Sequence, residues 1–402
     1  MTDLVLPRTW PHHDAPAPEE RSGWLTDALT SDPDDGRSPA LEGTESCDVC
    51  IVGGGFTGLW TALEIVRRAP GTDVVLIEAD LCGSGASGAN AGFLMPMWAR
   101  FSSLVAIGGP EEARRIAEAS ARAVDEIIDF ADEHAIDIGH RRGPWLLAAS
   151  SPAQLGSWRQ TLTDLRRAGV EPLHQVSAAE AREAVGVANH WGGIIDPGCA
   201  TLQPAKLARG LRRAALDAGV RIHERTPLLA LRPGRRTRAV TPYGSVLADK
   251  VVLAINAWAA ALEDLGRTMV TIASDTLLTA PVPAELDALG WDDGTSVCDA
   301  RRRLNYYRRT PDGRLLFGKG GAGMAYGNSA ASTQWGRPCV WPRCAGTSPA
   351  SSPPSPVCPS RRPGPPPWST RSPHCPSRAG SAPSRTPVTR PVTRATGWGP
   401  RG

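Results

Sequence analysis

DVCIVGGGFTGLWTALEIVRRAPGTDVVLIE, residues 48–78, is the stretch that decides the fold. Val49 to Val52 form a short apolar run that suits a parallel strand buried on both faces. Gly53, Gly55 and Gly58 follow with G-x-G-x-x-G spacing, and Phe56 and Thr57 open a helix. In such a unit the first glycine makes the tight turn. The second lets backbone approach a pyrophosphate, and the third lets the helix pack close to the sheet. The helix start offers free N–H groups and a positive dipole end to phosphate. Val74 to Ile77 form the next strand, and Glu78 closes it, followed by Ala79. A carboxylate there accepts hydrogen bonds from a ribose, so the unit predicts a dinucleotide, and FAD or NAD rather than NADP.

Working outward, the 402 residues allow two packed domains or one with a large insertion. A net charge of +3 points to no nucleic-acid partner, and no apolar run is long enough to span a membrane. The first residues, MTDLVLPRTWPHHDAPAPEER, lack a secretory pattern, so the cytoplasm is the expected compartment. Cys47 and Cys50 have C-x-x-C spacing, but Cys50 lies within the first strand. They read as packing residues, with no metal or redox role.

Residues 1–46 are polar and rich in Pro, Asp and Ser; they read as an extended arm anchored by Trp10 and Trp24. Residues 47–330 read as the folded domain. Helical periodicity marks 110–134, 151–169, 177–186 and 203–218, with Ser177 and Glu180 as a capping box. Strands are expected at 145–149, 220–223 and 250–255, and hairpins at 237–247 and 306–317. The alternation predicts an α/β fold, a Rossmann-like FAD-binding domain with an inserted α+β substrate domain.

Residues 331–402 differ from the rest. They hold seventeen of the 37 prolines and ten arginines, with no acidic residue and no Leu, Ile, Phe or Met. Such a composition cannot bury enough apolar area to offset chain entropy, which predicts a disordered C-terminal tail. The composition and the abrupt change favour a shifted reading frame of a GC-rich gene, an out-of-frame tail, over a basic tail or a linker.

The ordered set DVCIVGGGFTGLWTA, VVLIEAD and GSGASGANAGF resembles the FAD-dependent oxidoreductases of the D-amino-acid oxidase type, the glycine and sarcosine oxidase superfamily. TLQPAKLARGLRRAALDAGVRIHERTPL (201–228), VVLAINAWA (251–259) and NYYRRTPDGRLLFGKGG (305–321) are similar to its gamma-glutamylputrescine-oxidase-like branch. The resemblance covers about residues 20–330. It implies FAD, with the loop carrying Gly85, Ala86, Ser87, Asn90, Ala91 and Gly92 wrapped around the pyrophosphate and approaching the flavin. The branch often has Arg-Asn-Gly-Gly where this chain has Ala89 to Gly92. Leu228 corresponds to the position that holds the adenine through its main chain, and Asn256 follows a strand at the ligand end of the sheet.

The resemblance also implies the reaction: a primary or secondary amine or amino acid is oxidised to an imine by hydride transfer to flavin, with dioxygen or another acceptor taking the electrons. Tyr306 and Arg308 are the expected catalytic-site residues on the substrate wall, Arg308 as a carboxylate clamp. Two other readings stay open. One is an impaired, truncated flavoprotein lacking the C-terminal segment that closes over the flavin. The other is an NAD-dependent dehydrogenase.

Overall fold

The computed structural model describes residues 4–5, 21–32, 38–291, 294–302, 304–324 and 395–397. Trp10 and nearly all of the 331–402 tail lie outside the described residues.

The nucleotide sheet is built from the strand that the opening motif predicts. β1 (Gly43–Val52) lies beside β2 (Val74–Ile77), and β6 (Arg221–His223) flanks β2; all three run parallel. On the other side β9 (Gly244–Leu253) pairs with β1 in parallel over nearly its whole length. β8 (Thr237–Val240) and β7 (Ala230–Arg232) continue the sheet antiparallel, and Leu4–Val5 forms its edge. The inner strands are apolar where both faces are covered, at Val49–Val52 of β1 and throughout β2. On one face α2 (Phe56–Arg68) and α6 (Pro204–Asp217) pack through Leu59, Ala62, Leu207 and Leu211 against Ile51 and Leu76. On the other, Cys50, Val52, Ile77 and Val246 meet Leu228, Ile255 and Leu262.

A second, mostly antiparallel sheet forms the inserted region. Its order is Ala395–Gly397, β10 (Ile272–Leu278), β13 (Leu315–Met324), β12 (Asn305–Arg309), β11 (Ser296–Asp299), β3 (Trp145–Ala148), β5 (Gly193–Asp196), β4 (His174–Val176). The predicted hairpins are both present. So is the capping box, with Ser177 accepting from the Glu180 amide ahead of α5 (Ala178–Glu183).

Three expectations change. The arm is not simply extended: Ser22 caps α1 (Gly23–Thr30), which buries Trp24, Leu25 and Ala28. The helix expected at 110–134 begins at Phe101, so α3 (Phe101–Glu133) carries a break at Gly109, where φ is 79° ahead of Pro110. The helix expected over 151–169 reduces to a short turn at Pro152–Gln154 and α4 (Arg159–Arg167).

Candidate functional site

The glycine elbow forms where β1 ends. Gly53 has φ 110°, and a Cβ there would lie 2.5 Å from the Ala254 carbonyl oxygen. Gly53 N donates to Ile77 O at 2.8 Å, which ties the turn to β2. A Cβ on Gly58 would lie 1.9 Å from Gly53 O, so only glycine lets α2 start this close to the strand. Gly55 takes the N-cap position of α2 in extended backbone and supplies no side-chain cap, and the first turn holds no acidic residue. The N-cap residue itself thus leaves the helix start open to a partner from outside the helix. Gly55 and Phe56 are half-buried and Thr57 is exposed, so this edge is open to a ligand.

Glu78 lies against the elbow. Its Oε2 accepts from Gly54 N at 2.6 Å and its Oε1 from Asp80 N at 3.0 Å. Part of its surface stays open, but protein surrounds most of it. That desolvation raises its pKa to about 7, against the lowering effect of the two backbone donors; Asp80 and Glu224 add to the rise. Ala79 is exposed beside it.

The small-residue loop folds back over the same helix start. Gly85 leads into a short turn at Ala86–Gly88. Ser87 Oγ accepts from Phe56 N at 2.9 Å, so its own O–H stays available as a donor at the mouth of the elbow. Asn90, on the loop implied to wrap the pyrophosphate, does not turn its amide group outward. Instead its Nδ2 donates to Ser87 O at 2.8 Å and Ala86 O at 3.1 Å, and its Oδ1 accepts from Gly92 N at 2.7 Å. Its side chain shapes the loop.

Leu228 and Asn256 approach from β9 and the crossover before β7. The Leu228 side chain is buried in the cluster with Val52, Ile77 and Ile255. Two residues earlier, Thr226 N donates to Glu78 O at 2.7 Å. Asn256 has φ 46° and opens a short helix at Asn256–Ala261, just after Ala254 N bonds Val52 O at 2.8 Å. Gly53, Gly55, Phe56, Thr57, Gly58, Glu78 and Ser87 therefore converge on one edge, with Leu228 and Asn256 flanking it.

Tyr306 and Arg308 lie on β12. The Tyr306 hydroxyl is 2.9 Å from Ser274 Oγ and 3.0 Å from Thr276 Oγ1, and its ring meets Phe93 edge-on at 6.1 Å. Arg308 is 1% exposed. Its Nε donates to Ala91 O and its Nη2 to Leu202 O, both at 2.6 Å, and its guanidinium sits 5.2 Å from the Trp24 ring centroid. Burial lowers its pKa to about 9, opposed by Asp312. The side chain expected to clamp a carboxylate is thus tied to the backbone at Ala91 and Leu202.

Sequence reading missed the ion cluster beneath the loop. Glu224 is fully buried. Its Oε1 accepts from Cys82 N and from Arg209 Nη1, each at 2.7 Å, and its Oε2 from Ser38 N at 2.8 Å. Arg212 Nε lies 3.4 Å away, and Asp32 pairs with Arg209 at 2.9 Å. The only sequence signal was three charges, Arg209, Arg212 and Glu224, on the buried side of an otherwise apolar helix–strand pair. Cys47 and Cys50 are buried free thiols whose pKa values burial pushes up to about 11 and about 12, which makes them inert packing groups. Among the described residues, no group of three or more metal-ligating side chains occurs, and no helix is long and apolar enough to cross a membrane.

The family model described as FAD dependent oxidoreductase matches residues 48–402, past residue 330, where the likeness was expected to stop. The probable oxidoreductase OrdL of Rhizobium meliloti (strain 1021) is 33% identical over 285 residues, covering 70% of this chain and 65% of that protein. Gamma-glutamylputrescine oxidoreductase of Escherichia coli (strain K12) is 29% identical over 285 residues, 70% of this chain and 66% of that protein. The crystal structure of glycine oxidase from Geobacillus kaustophilus matches with a TM-score of 0.55 at 27% identity, covering 68% of this chain and 71% of that one. The chain therefore spans just under two thirds of these two curated relatives. With its glycine elbow, its terminal acid and this match, the chain belongs to the family of FAD dependent oxidoreductases.

Proposed function

We propose that the chain binds FAD at the elbow and oxidises a primary or secondary amine or amino acid to an imine, with dioxygen or another acceptor taking the electrons. FAD would supply the hydride acceptor, chemistry that no side chain offers. The residues present fit the group. Gly53 and Gly58 let the turn and the helix pack closely on the strand, and Gly55 brings no side chain to the helix start. Phe56, Thr57 and Ser87 would face the diphosphate, and Glu78 would accept from the ribose hydroxyls. Gly85, Ala86 and Gly92 would keep the loop backbone close to the cofactor, and Asn90 and Ala91 would set its shape. Leu228 and Asn256 would border the adenine and flavin sides.

The substrate class comes from relatives whose names state gamma-glutamylputrescine, glycine or sarcosine as what they act on. Tyr306 would stand on the substrate wall, its hydroxyl oriented by Ser274 and Thr276. The protein's part is to hold the reacting carbon and its acceptor in place and to exclude water. Membership of an FAD family weighs against the NAD-dependent dehydrogenase reading.

The observation that carries this reading is the 2.6 Å bond from Gly54 N to Glu78 Oε2, which holds the acid against the elbow. The test is to titrate the purified chain with FAD, then add candidate amines without oxygen. Bound flavin whose visible band bleaches with an amine or amino acid supports the reading. A chain that binds no flavin, or whose bound flavin no amine bleaches, overturns it.

A further inference from the structure

We propose that α1 and Arg308 act together as a strap that positions the cofactor loop Gly85–Gly92 over the start of α2, so that the N-terminal arm and the substrate sheet both control how tightly the cofactor is held. The inference rests on the FAD reading above.

The loop is held by its carbonyls. Ser22 Oγ donates to Gly88 O at 2.8 Å and Trp24 Nε1 to Asn90 O at 3.1 Å, both from the arm. Arg308 Nε donates to Ala91 O at 2.6 Å from the substrate sheet. Three carbonyls within four residues are thus bonded from two elements distant in sequence. The two sides also hold each other. The Trp24 ring faces the Arg308 guanidinium at 5.2 Å. Gln203 Nε2 donates to Trp24 O at 2.6 Å, and Arg308 Nη2 bonds Leu202 O next to it. Arg21 adds an ion pair to Asp80, just past Glu78, at 3.2 Å.

Arg308 is unusual for a buried cation. Its guanidinium bonds two carbonyls and faces an aromatic ring, while Asp312 acts on it electrostatically without forming an ion pair. Burying a charge this way is costly, so the geometry needs a return. The return is rigidity. With Gly88 O, Asn90 O and Ala91 O bonded on the strap side, the Asn90 side chain closes the loop on Ala86, Ser87 and Gly92. Ser87 in turn meets Phe56 N at the helix start. One hydrogen-bonded path runs from Trp24 through Asn90 and Ser87 to the first amide of α2. Trp24, Ser22 and Arg308 are therefore positioning residues: they act on the site through the loop.

The experiment compares Trp24→Phe and Arg308→Lys with Tyr307→Phe, which removes the bond to His190 on the opposite face of β12 and leaves every loop contact in place. Amide hydrogen exchange is followed at Phe56 and Gly92 in the full chain, and the FAD release rate is measured on the loaded protein. The expected result is faster exchange at both amides and roughly fivefold faster FAD release in the first two variants, the effect of one neutral hydrogen bond. Tyr307→Phe should move neither readout beyond its loss of thermal stability. Unchanged exchange in Trp24→Phe and Arg308→Lys, or equal effects in Tyr307→Phe, overturns the strap. A wild-type chain that binds no FAD but shows the exchange difference keeps the strap and removes the cofactor reading.

Discussion

The glycine elbow and the β12 hairpin differ in what builds them. The elbow is made by backbone: a positive φ at Gly53, a Cβ-free contact at Gly58 and amides that meet Glu78. The hairpin face is made by side chains whose direction depends on what lies across from them. Arg308 turns inward to Ala91 and Leu202, and the neighbouring Tyr307 turns to the opposite face, where its hydroxyl lies 2.6 Å from His190 Nε2. A site set by backbone needs particular residues at fixed spacing, so it can be read from one sequence. A site set by side-chain partners cannot, because the partners are far away in the chain.

The largest effect should come from beneath the elbow. Glu224→Ala leaves Arg209 and Arg212 without their shared carboxylate and the amides of Ser38 and Cys82 without an acceptor. We expect a loss of about 3–5 kcal/mol in denaturant unfolding. Next is Gly58→Ala, whose new Cβ falls 1.9 Å from Gly53 O. It should lower stability by about 2–3 kcal/mol and displace α2 from the strand, with FAD binding lost. On the hairpin, Tyr307→Phe removes one bond. His190 Nδ1 donates to Ala181 O at 2.9 Å, so Nε2 accepts from the tyrosine, and burial keeps the ring neutral. The expected loss is about 1–2 kcal/mol by the same measurement, with FAD binding unchanged. If Tyr307→Phe costs more than Gly58→Ala, the contrast between the two regions fails.

The remaining effect concerns pH and is confined to one titration window. The folded-state pKa of Glu78 is raised to about 7 from 4.5, so the folded chain holds this proton more tightly than the unfolded one. Its contribution to stability is full below about pH 4.5 and is lost as pH rises through about 7. Glu78→Gln should therefore flatten the stability profile of the cofactor-free chain across that window. A profile identical to wild type would mean that the carboxylate is not desolvated at the elbow.

Much of the fold was legible for the same reason as the elbow. The parallel strands show as apolar runs at Val49–Val52 and Val74–Ile77, and the Ser177–Glu180 capping box shows as spacing. α1 was not legible, because eight residues beside prolines and acids carry little periodicity; its stability comes from burying Trp24 and Leu25 against Ala205 and Leu316. The continuation of α3 before Gly109 was hidden by Gly108, Gly109 and Pro110, which read as a boundary and form a break inside one element. The Glu224 cluster and the inward turn of Arg308 depend on contacts more than a hundred residues apart in several cases, including Ser38 with Glu224 and Arg308 with Ala91.

The measurement that tests the central claim most directly is calorimetric titration of ADP and FAD into the purified chain and into Glu78→Ala. ADP carries the diphosphate and ribose without the flavin, so it reads the elbow alone. The account predicts that ADP and FAD compete for one site and that Glu78→Ala weakens both by roughly tenfold or more, the effect of hydrogen bonds to a charged group. Binding of neither ligand, or equal affinity with and without the Glu78 carboxylate, would contradict it.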